Sequence, residues 1–287
     1  MTAALGAHLQ RLVPQRLLCR FVYRVARAGW TKRPLIAWFR RHYGVDMSEA
    51  SPSDPEAYAS FNDFFTRALK PGARAVAGGA DTIVSPCDGT LMAFGTLAHD
   101  RLLQAKGISY SLTALLGEDS PDAARFIDGH YATIYLAPHD YHRVHVPAAG
   151  TLWRARYIPG DRFSVNAATA EAIPGLFCRN ERVVCWFECA FGPAVVVLVG
   201  ALNVSSVSLT TRGEIPSGAP REWREAEPVR LEKGDELGRF NLGSTVIVLF
   251  PPEAVRFDPA LAAGDTLLMG AALARAVGAG TARADAL

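Results

Sequence analysis

The chain has 287 residues, which is enough for one large domain or two modest ones with a substantial buried core. Hydrophobic residues make up 49% of the chain, which argues against disorder, yet the longest apolar stretch (residues 194–202) is far shorter than the roughly 20 residues of a membrane-spanning helix. The net charge of +2 hides an asymmetry: residues 1–45 carry nine basic and no acidic side chains, whereas the rest carries 21 basic against 28 acidic ones.

Two amphipathic helices are predicted in the basic N-terminal segment. Apolar residues recur at helical spacing from Leu5 to Ala28, where Pro14 is expected to kink or divide the helix, and again from Pro34 to Tyr43. The basic residues alternate with apolar ones, and Trp30 and Trp38 suit the headgroup region of a bilayer. This pattern favours an anionic membrane surface as partner over nucleic acid. The alternative is that both helices pack on the protein's own core.

The remainder of the chain is predicted to be mainly antiparallel β-structure. Residues 48–59 have the composition of a linker, residues 61–68 indicate a short helix, and residues 213–227 are interpreted as a loop. Strands are predicted from short apolar or β-branched runs at residues 82–85, 89–94, 131–136, 151–158, 183–188, 194–199, 204–211 and 244–250. We therefore expect an α+β protein with a helical membrane-docking region and linker over residues 1–60. A β-rich catalytic domain of barrel or sandwich type would follow over residues 61–287.

The cysteine pattern predicts a reducing compartment. The five cysteines form an odd number and contain no C-x-x-C pair, so we expect free thiols, most of them packing in the core. Together with the basic N-terminal helices, this favours a cytoplasmic protein whose partner is an anionic membrane surface.

The Gly243-Ser244 bond is a candidate site of self-cleavage. It lies between the polar residues 233–241 and the apolar run 246–250. Glycine leaves its carbonyl open to approach and tolerates strained dihedral angles, and the serine hydroxyl is one residue away from that carbonyl. An ordinary turn before a strand is the alternative for an isolated Gly-Ser pair.

A run of histidines is the second candidate for chemistry. His139, His142 and His145 lie at intervals of three residues between Pro138 and Pro147. Three imidazoles are a common zinc ligand set, but in an extended segment the middle ring would face away from the other two, and the two prolines disfavour a helix. A structural cluster and acid–base catalysis remain the other interpretations.

Asp88 is a candidate acid at a predicted turn between two strands. Its neighbour Gly89 makes an ordinary hairpin turn the simplest interpretation. Taken together, however, Asp88, His145 and Ser244 supply an acid, an imidazole and a hydroxyl, which are the parts of a nucleophilic relay.

Eight motifs follow one another in order along nearly the whole chain. They are Trp30-Thr-Lys-Arg33, Phe61-Asn-Asp-Phe-Phe65, Asp140-Tyr-His-Arg-Val-His145-Val-Pro147, Ile158-Pro-Gly-Asp-Arg-Phe-Ser-Val-Asn166, Arg179-Asn-Glu-Arg182, Phe191-Gly-Pro193, Val199-Gly-Ala201 and Gly238-Arg-Phe-Asn-Leu-Gly-Ser-Thr245. This ordered set resembles the bacterial, membrane-associated phosphatidylserine decarboxylases. One departure is Cys87, where alanine is common in relatives.

The resemblance implies that Ser244 attacks the carbonyl of Gly243 and that the chain divides into a β chain, residues 1–243, and an α chain, residues 244–287. Residue 244 would become a pyruvoyl group that forms a Schiff base with the substrate, with no metal and no pyridoxal phosphate. Asp88 and His145 match the acid and base of the self-cleavage triad. His142 matches the histidine associated with decarboxylation of phosphatidylserine to phosphatidylethanolamine and CO2.

The resemblance also suggests where the protein is located and where the substrate binds. It implies a peripheral protein on the cytoplasmic face of the bacterial inner membrane. Phe163 and Ser164 are the first candidates for contacts with the lipid, and an exposed apolar helix pair would be compatible with a homodimer. Two rival hypotheses stay open at this point: a zinc-dependent hydrolase that uses His139, His142 and His145, and a non-catalytic membrane-binding β module.

Overall fold

The computed structural model describes residues 15–105, 107–201, 206–241 and 244–277, so the predicted helix before residue 15, with Pro14, lies outside the described residues. The helices in these ranges are α1 (Gln15–Arg27), α2 (Lys32–Tyr43), α3 (Phe61–Phe65), α4 (Leu112–Leu116), α5 (Pro121–Ala124), α6 (Ala167–Ala172) and α7 (Leu176–Arg179). None of them combines the length and the apolar character that a membrane span requires.

The strands of the described ranges follow a short N-terminal pair, β1 and β2. They are β1 (Ala50–Ser51), β2 (Ala68–Leu69), β3 (Thr82–Val84), β4 (Gly89–Thr96), β5 (Arg101–Ala105), β6 (Ile108–Ser111), β7 (His130–Leu136), β8 (Arg143–His145), β9 (Gly150–Ile158), β10 (Arg182–Cys189), β11 (Gly192–Gly200), β12 (Ser206–Leu209), β13 (Gly213–Ile215), β14 (Arg221–Leu231), β15 (Glu236–Asn241), β16 (Ser244–Phe250), β17 (Val255–Phe257), β18 (Thr266–Leu267) and β19 (Ala272–Ala276). This content confirms the predicted α+β class with a mainly antiparallel β-rich body.

The N-terminal helices enclose a small aromatic core of their own. Phe39 of α2 packs against Phe61 and Phe65 of α3, with ring centroids 5.1 and 5.8 Å apart. Other aromatic side chains of this segment are exposed: Trp30, in the turn between α1 and α2, is 85% exposed, and Trp38 of α2 is 55% exposed. One face of this region, which we call the helical region (residues 15–67), therefore packs inward, and docking of its exposed face to a membrane stays a prediction. Its aromatic core continues past residue 60, and the predicted domain division stays a prediction.

The centre of the body is an eight-stranded antiparallel sheet in the order β14-β9-β10-β11-β16-β7-β4-β18. The described strands leave it open at both edges, so it is a sandwich component and not a closed barrel. Both of its faces are buried: on β11, Val196 and Leu198 face one core, whereas Val195 and Val197 face the other. This double burial explains the continuous apolar run in the sequence, where a half-exposed strand would alternate.

Two smaller sheets cover one face of the large sheet, in the orders β13-β12-β15-β8 and β17-β19-β3. Val207 and Leu237 from the first and Ile83 and Leu273 from the second join the core on that side. Helices α4, α6 and α7 and the β5–β6 hairpin bury the opposite face. The site described below lies at one end of the sheet, where the connections between the large and small sheets run.

The interpretation of residues 213–227 as a loop was wrong, because this segment contains β13 and most of β14. Strand β14 is an edge strand that pairs only with β9, and its register shifts between Arg224 and Val229. An edge strand rich in charged residues gives little hydrophobic periodicity, which is why the sequence pattern does not reveal it.

Candidate active site

The strand register brings Ser244 to one end of the large sheet. Ser244 begins β16, where it is paired with Gly200 at the end of β11 and with Leu136 at the end of β7. Leu242, Gly243 and the side chain of Ser244 lie outside the described part of the chain. The residues around this strand end therefore define the surroundings of the candidate cleavage site.

Asp88 reaches the same end of the sheet because it directly precedes β4. Thr90 of β4 pairs with Tyr135, the neighbour of Leu136. Gly89, between Asp88 and Thr90, is obligatory in this geometry, since a Cβ there would lie 2.3 Å from the carbonyl oxygen of Tyr135. The Asp-Gly pair thus permits a close backbone approach that positions the carboxylate.

The Asp88 carboxylate is buried in an ion pair with Arg74. Arg74 donates to both oxygens, with Nε 3.0 Å from Oδ1 and Nη2 2.6 Å from Oδ2, and the amide of Met269 donates to Oδ1 at 2.8 Å. The hydrogen bonds that Arg74 donates to Asp88 raise the pKa of Arg74 further, and Nη1 of Arg74 also donates to Oε2 of Glu49 at 2.7 Å. A charge-assisted pair of this kind keeps one negative charge fixed at the strand end.

His145 presents an unprotonated ring nitrogen in the interior. Its Nδ1 donates to the carbonyl oxygen of Gly234 at 2.7 Å, so in the neutral ring Nε2 carries the lone pair and accepts from the hydroxyl of Tyr141 at 3.0 Å. Burial lowers the pKa of His145, although the Gly234 hydrogen bond and the charge of Asp88 oppose this shift.

Asp88 and His145 are neighbours through the backbone, since the His145 amide donates to the carbonyl of Pro86 at 2.7 Å. The side-chain hydrogen bonds found for the two residues go elsewhere: Asp88 bonds to Arg74 and Met269, and His145 bonds to Gly234 and Tyr141. Asp88 therefore acts on the imidazole through its charge. The proposed triad role of these residues stays a prediction.

His142 is fully buried beside the strand that leads to Ser244. Its carbonyl accepts from the amide of Phe240 in β15 at 3.1 Å, and its ring lies 4.0 Å from that of Phe65. Nδ1 donates to the carbonyl of Asp140 at 2.8 Å, whereas the buried Nε2 has no hydrogen-bond partner among the described residues. Burial lowers the pKa of His142 to about 3, so the ring is neutral.

The three histidines have separate environments. His139 is half-exposed with Nε2 3.5 Å from Oδ1 of Asp140, while His142 and His145 each commit Nδ1 to a different carbonyl group. In the ranges that the structure describes, no group of three potential ligands is arranged to hold a metal ion. The geometry therefore gives the zinc alternative no support.

Comparison with known proteins identifies the family of this site. A family model described as phosphatidylserine decarboxylase matches residues 61–275, and a second model, described as PSD, matches residues 5–44. The chain belongs to the phosphatidylserine decarboxylase family. The matched range contains Asp88, His142, His145 and Ser244, so all four candidates lie in the part of the chain that defines the family.

Similar proteins from several bacteria cover almost the full length of the chain. A protein of Methylibium petroleiphilum is 50% identical over 280 residues, covering 96% of this chain and 98% of its own length. A protein of Pseudomonas aeruginosa is 51% identical, covering 92% of this chain and 94% of its own length. A protein of Ectopseudomonas mendocina is 52% identical, covering 93% of this chain and 96% of its own length. All three carry the name phosphatidylserine decarboxylase proenzyme. The chain is thus an enzyme of a decarboxylase family whose members are named as precursors.

Arg67 is a site residue that the sequence analysis missed. Its Nη2 donates to the carbonyl oxygen of His139 at 3.0 Å, and the side chain is buried close to Asp88 and Asp140. Its positive charge helps to lower the pKa of His142, after the larger effect of burial. It lies two residues after Phe65, the end of the aromatic run. That run predicted a helix but gave no sign that the arginine side chain would point towards the candidate site.

Phe163 and Ser164 lie near the same strand end through a residue that was also missed, Asn180. The Asn180 side chain accepts from the amide of Phe163 at 3.0 Å and donates to the carbonyl of Gly200 at 2.8 Å. Phe163 is buried, and Ser164 is half-buried. Because Gly200 pairs with Ser244, Asn180 links the predicted substrate segment to the end of the sheet where Ser244 lies.

Proposed function

We propose that the protein converts phosphatidylserine to phosphatidylethanolamine and CO2 after it has cut its own chain between Gly243 and Ser244. The observation that carries this proposal is the approach of Asp88, His142 and His145 to the sheet end at which β16 begins with Ser244. The shared name of the relatives, phosphatidylserine decarboxylase proenzyme, supports both the substrate and the existence of a precursor.

The proposed cleavage conserves atoms at each step. The hydroxyl oxygen of Ser244 bonds to the carbonyl carbon of Gly243, the peptide C–N bond breaks, and the hydroxyl proton ends on the released amine. Loss of the Cα proton of residue 244 then breaks the bond between its Cβ and the ester oxygen, which leaves a carboxylate on Gly243. Uptake of water and loss of ammonia convert the unsaturated residue 244 to a pyruvoyl group, and the chain is divided.

His145 is the proposed base for the first step. Its Nε2 has the lone pair that can take the Ser244 proton, and its lowered pKa keeps that nitrogen unprotonated at neutral pH. The hydroxyl of Tyr141 already donates a hydrogen bond to Nε2 of His145. The hydroxyl of Ser244 must therefore displace the Tyr141 hydroxyl or pass its proton through that hydroxyl. The fixed negative charge of Asp88 stabilises the imidazolium that forms.

The surroundings fit a pyruvoyl group, because two buried polar atoms in the neighbouring segments, Nε2 of His142 and Oγ1 of Thr245, lack a hydrogen-bond partner among the described residues. Such a group supplies an electrophilic carbonyl for the amine of the substrate and an electron sink when CO2 leaves. His142 is the proposed proton donor to the α-carbon. Its pKa of about 3 requires that the negative charge of a bound substrate raises it first.

Access to a lipid headgroup is proposed for the helical region. Phe21, Trp30 and Trp38 expose their rings there, beside arginines of α1 and α2. Exposed aromatic side chains together with basic side chains in the same helical segment are typical of an element that lies in a membrane interface. We therefore propose peripheral association with an anionic membrane surface at the cytoplasmic face, and contacts of Phe163 and Ser164 with the substrate.

Intact-mass analysis and a denaturing gel of the full-length protein test the cleavage. The 30.9 kDa chain should yield two chains divided after residue 243, and the shorter one should react with a hydrazide that detects carbonyl groups. Ser244→Ala should leave the chain whole, whereas the control Ser109→Ala, which removes a hydroxyl from β6, should be cut normally. A single uncut wild-type chain without carbonyl reactivity would sink the proposal.

His142→Ala tests the second half of the mechanism. We expect this variant to be cut and to react with the hydrazide, but to release CO2 from phosphatidylserine in detergent micelles at least about 100-fold more slowly. Treatment with a chelator should leave wild-type activity unchanged. Activity that disappears with the metal in an uncut chain would favour the hydrolase alternative instead.

A further inference from the structure

Helix α1 is joined to the β-rich body by an ion pair. Nη2 of Arg27, in the last turn of α1, donates to Oε2 of Glu214 in β13 at 2.8 Å, and both side chains are about a third exposed or less. The aromatic core of the helical region is separate from the two cores that flank the large sheet. Polar contacts such as this one therefore contribute to how α1 is seated on the body.

A chain of hydrogen bonds continues from Glu214 towards the cleavage site. Oε1 of Glu214 accepts from the hydroxyl of Ser206 at 2.5 Å, and that hydroxyl accepts from Nδ2 of Asn241 at 2.8 Å. The second Nδ2 hydrogen of Asn241 points to the hydroxyl of Ser208 at 3.1 Å. Donors and acceptors alternate without conflict from Asn241 to Arg27, so the chain has one consistent direction.

Asn241 is also tied to the helical region from the other side. Nδ2 of Asn62 in α3 donates to Oδ1 of Asn241 at 3.2 Å. Asn241 is buried, ends strand β15 and precedes Gly243 by two residues. Two helices of the helical region thus act, directly or through the relay, on the residue that ends β15 shortly before the candidate cleavage site.

The relay crosses the wall of a cleft of about 600 Å³ between the helical region and the β13-β12-β15 strands, lined by Arg27, Asn62, Ser208, Glu214 and Asn241 among others. Close apolar packing does not fill this gap, so the orientation of Asn241 depends on its hydrogen bonds. An attack on a backbone carbonyl needs the reacting atoms about 3 Å apart, and a misplacement of about 1 Å can slow such a step about 100-fold.

We propose that Asn241 is a positioning residue for self-cleavage at Gly243-Ser244, and that the Ser206–Glu214–Arg27 relay makes the cleavage rate depend on the seating of helix α1. The inference rests on the proposed function, because it concerns the rate of the same cleavage. It adds a structural link between the candidate membrane-docking helix and the maturation of the enzyme.

The test is a time course of cleavage of freshly translated full-length precursor, followed by denaturing gel and intact mass. Asn241→Ala should slow cleavage about 100-fold, Ser206→Ala about tenfold and Arg27→Ala about threefold. The effect decreases along the relay from Asn241 to Arg27. Arg27→Lys keeps a cation for Glu214 and should cleave at nearly the wild-type rate. The matched controls Ser109→Ala and Arg275→Ala remove a hydroxyl and an ion pair elsewhere and should stay within twofold of wild type.

A double-mutant cycle separates positioning from a general loss of structure. If the relay acts through Asn241, then Arg27→Ala should slow the wild type but add no further slowing in the Asn241→Ala background. Additive effects would overturn the relay. Because Arg27 is at the partly exposed end, its variants should melt within a few degrees of wild type, which keeps the test valid even if Asn241→Ala folds poorly.

The outcomes distinguish this inference from the function on which it rests. A wild-type precursor that is never cut would overturn the proposed function and the inference together. A wild type that is cut, with Asn241→Ala, Ser206→Ala and Arg27→Ala cut at the same rate, would overturn only the inference. Hydroxylamine, which splits esters, should not accelerate chain separation in Asn241→Ala, since the slow step there is formation of the ester; strong acceleration would contradict that assignment.

Discussion

The helical region and the β-rich body bury their side chains in different ways. In the body, the large sheet has a core on each face, and central strands such as β11 and β16 are almost completely buried. In the helical region, ten buried residues form one small cluster, while Phe21, Trp30 and Trp38 remain more than half exposed. The body thus surrounds the candidate catalytic groups with closely packed side chains, whereas the helical region keeps apolar side chains on its surface.

Chemically similar residues consequently have different roles in the two regions. His142 and His145 of the body are buried with lowered pKa values, whereas the ring of His42 in α2 stacks on the exposed Trp38 with the ring centroids 5.1 Å apart. Pairs of identical residue types, one from each region, test the contrast directly. Stability is best measured in the Ser244→Ala background, where the proposed cleavage cannot occur.

The largest effect is expected for tryptophan. Trp186 lies in β10 with its ring fully buried and the Arg154 guanidinium 4.3 Å from the ring centroid. Trp186→Ala should lower the free energy of unfolding by about 3–5 kcal/mol because it leaves a large cavity. Trp38→Ala should cost less than about 1 kcal/mol. Denaturant titrations of both variants measure this, and equal losses would contradict the distinction between the regions.

Glycine gives the next largest contrast. Gly89→Ala places a methyl group against the carbonyl of Tyr135 and should cost about 2–3 kcal/mol, as overpacking does. Gly29→Ala in the helical region meets only the carbonyl of Ala59 at 3.7 Å, which is an ordinary contact, and should change stability by less than about 0.5 kcal/mol. Because Asp88 precedes Gly89, Gly89→Ala in the otherwise wild-type chain should also slow cleavage; normal cleavage would show that the close approach is dispensable.

Sequence patterns predict some elements of both regions but miss others. The apolar runs of β11 and β16 identify buried strands because both sheet faces are covered, and Gly44 ends α2 with a left-handed φ of 66° as its position suggests. Strand β14 escapes the same reasoning, since a charged edge strand has no apolar periodicity. Patterns of burial are readable from sequence only where burial is one-sided or complete.

The candidate site was accessible from the sequence as residue types but not as contacts. Asp88, His142, His145 and Ser244 follow from the resemblance, whereas the partner of His145 is the carbonyl of Gly234, 89 residues away along the chain. Backbone carbonyl groups carry no sequence signal, because every residue has one. Such contacts arise from strand register, which depends on the packing of the whole fold.

A smaller effect, on pH dependence, is expected for histidine. His142 has a pKa of about 3 when folded and an ordinary value near 6.5 when unfolded, so between these values the unfolded chain binds more protons. Its contribution to stability is therefore present above pH 6.5 and is lost as the pH falls. Between pH 7.5 and pH 5 it should account for about 2 kcal/mol of the loss.

His142→Asn should remove that part of the pH dependence of the free energy of unfolding, when each variant is compared with its own value at pH 7.5. The control His42→Asn should keep the wild-type pH dependence. Unfolding followed by near-ultraviolet circular dichroism at a series of pH values gives the comparison. A wild-type slope that persists in His142→Asn would show that the imidazole is not buried in its neutral form.

The smallest effect on stability, and the one that reaches furthest into function, is expected for Trp30. Trp30→Ala should change the free energy of unfolding by less than about 0.5 kcal/mol, because the ring is 85% exposed. If that ring enters a membrane interface, the same change should weaken partition to vesicles of equal parts phosphatidylglycerol and phosphatidylcholine about tenfold. The control Leu103→Ala, which removes an exposed apolar side chain from β5 of the body, should bind as wild type does. Equal binding by Trp30→Ala and wild type would mean that the exposed aromatic surface of the helical region serves a partner other than the bilayer.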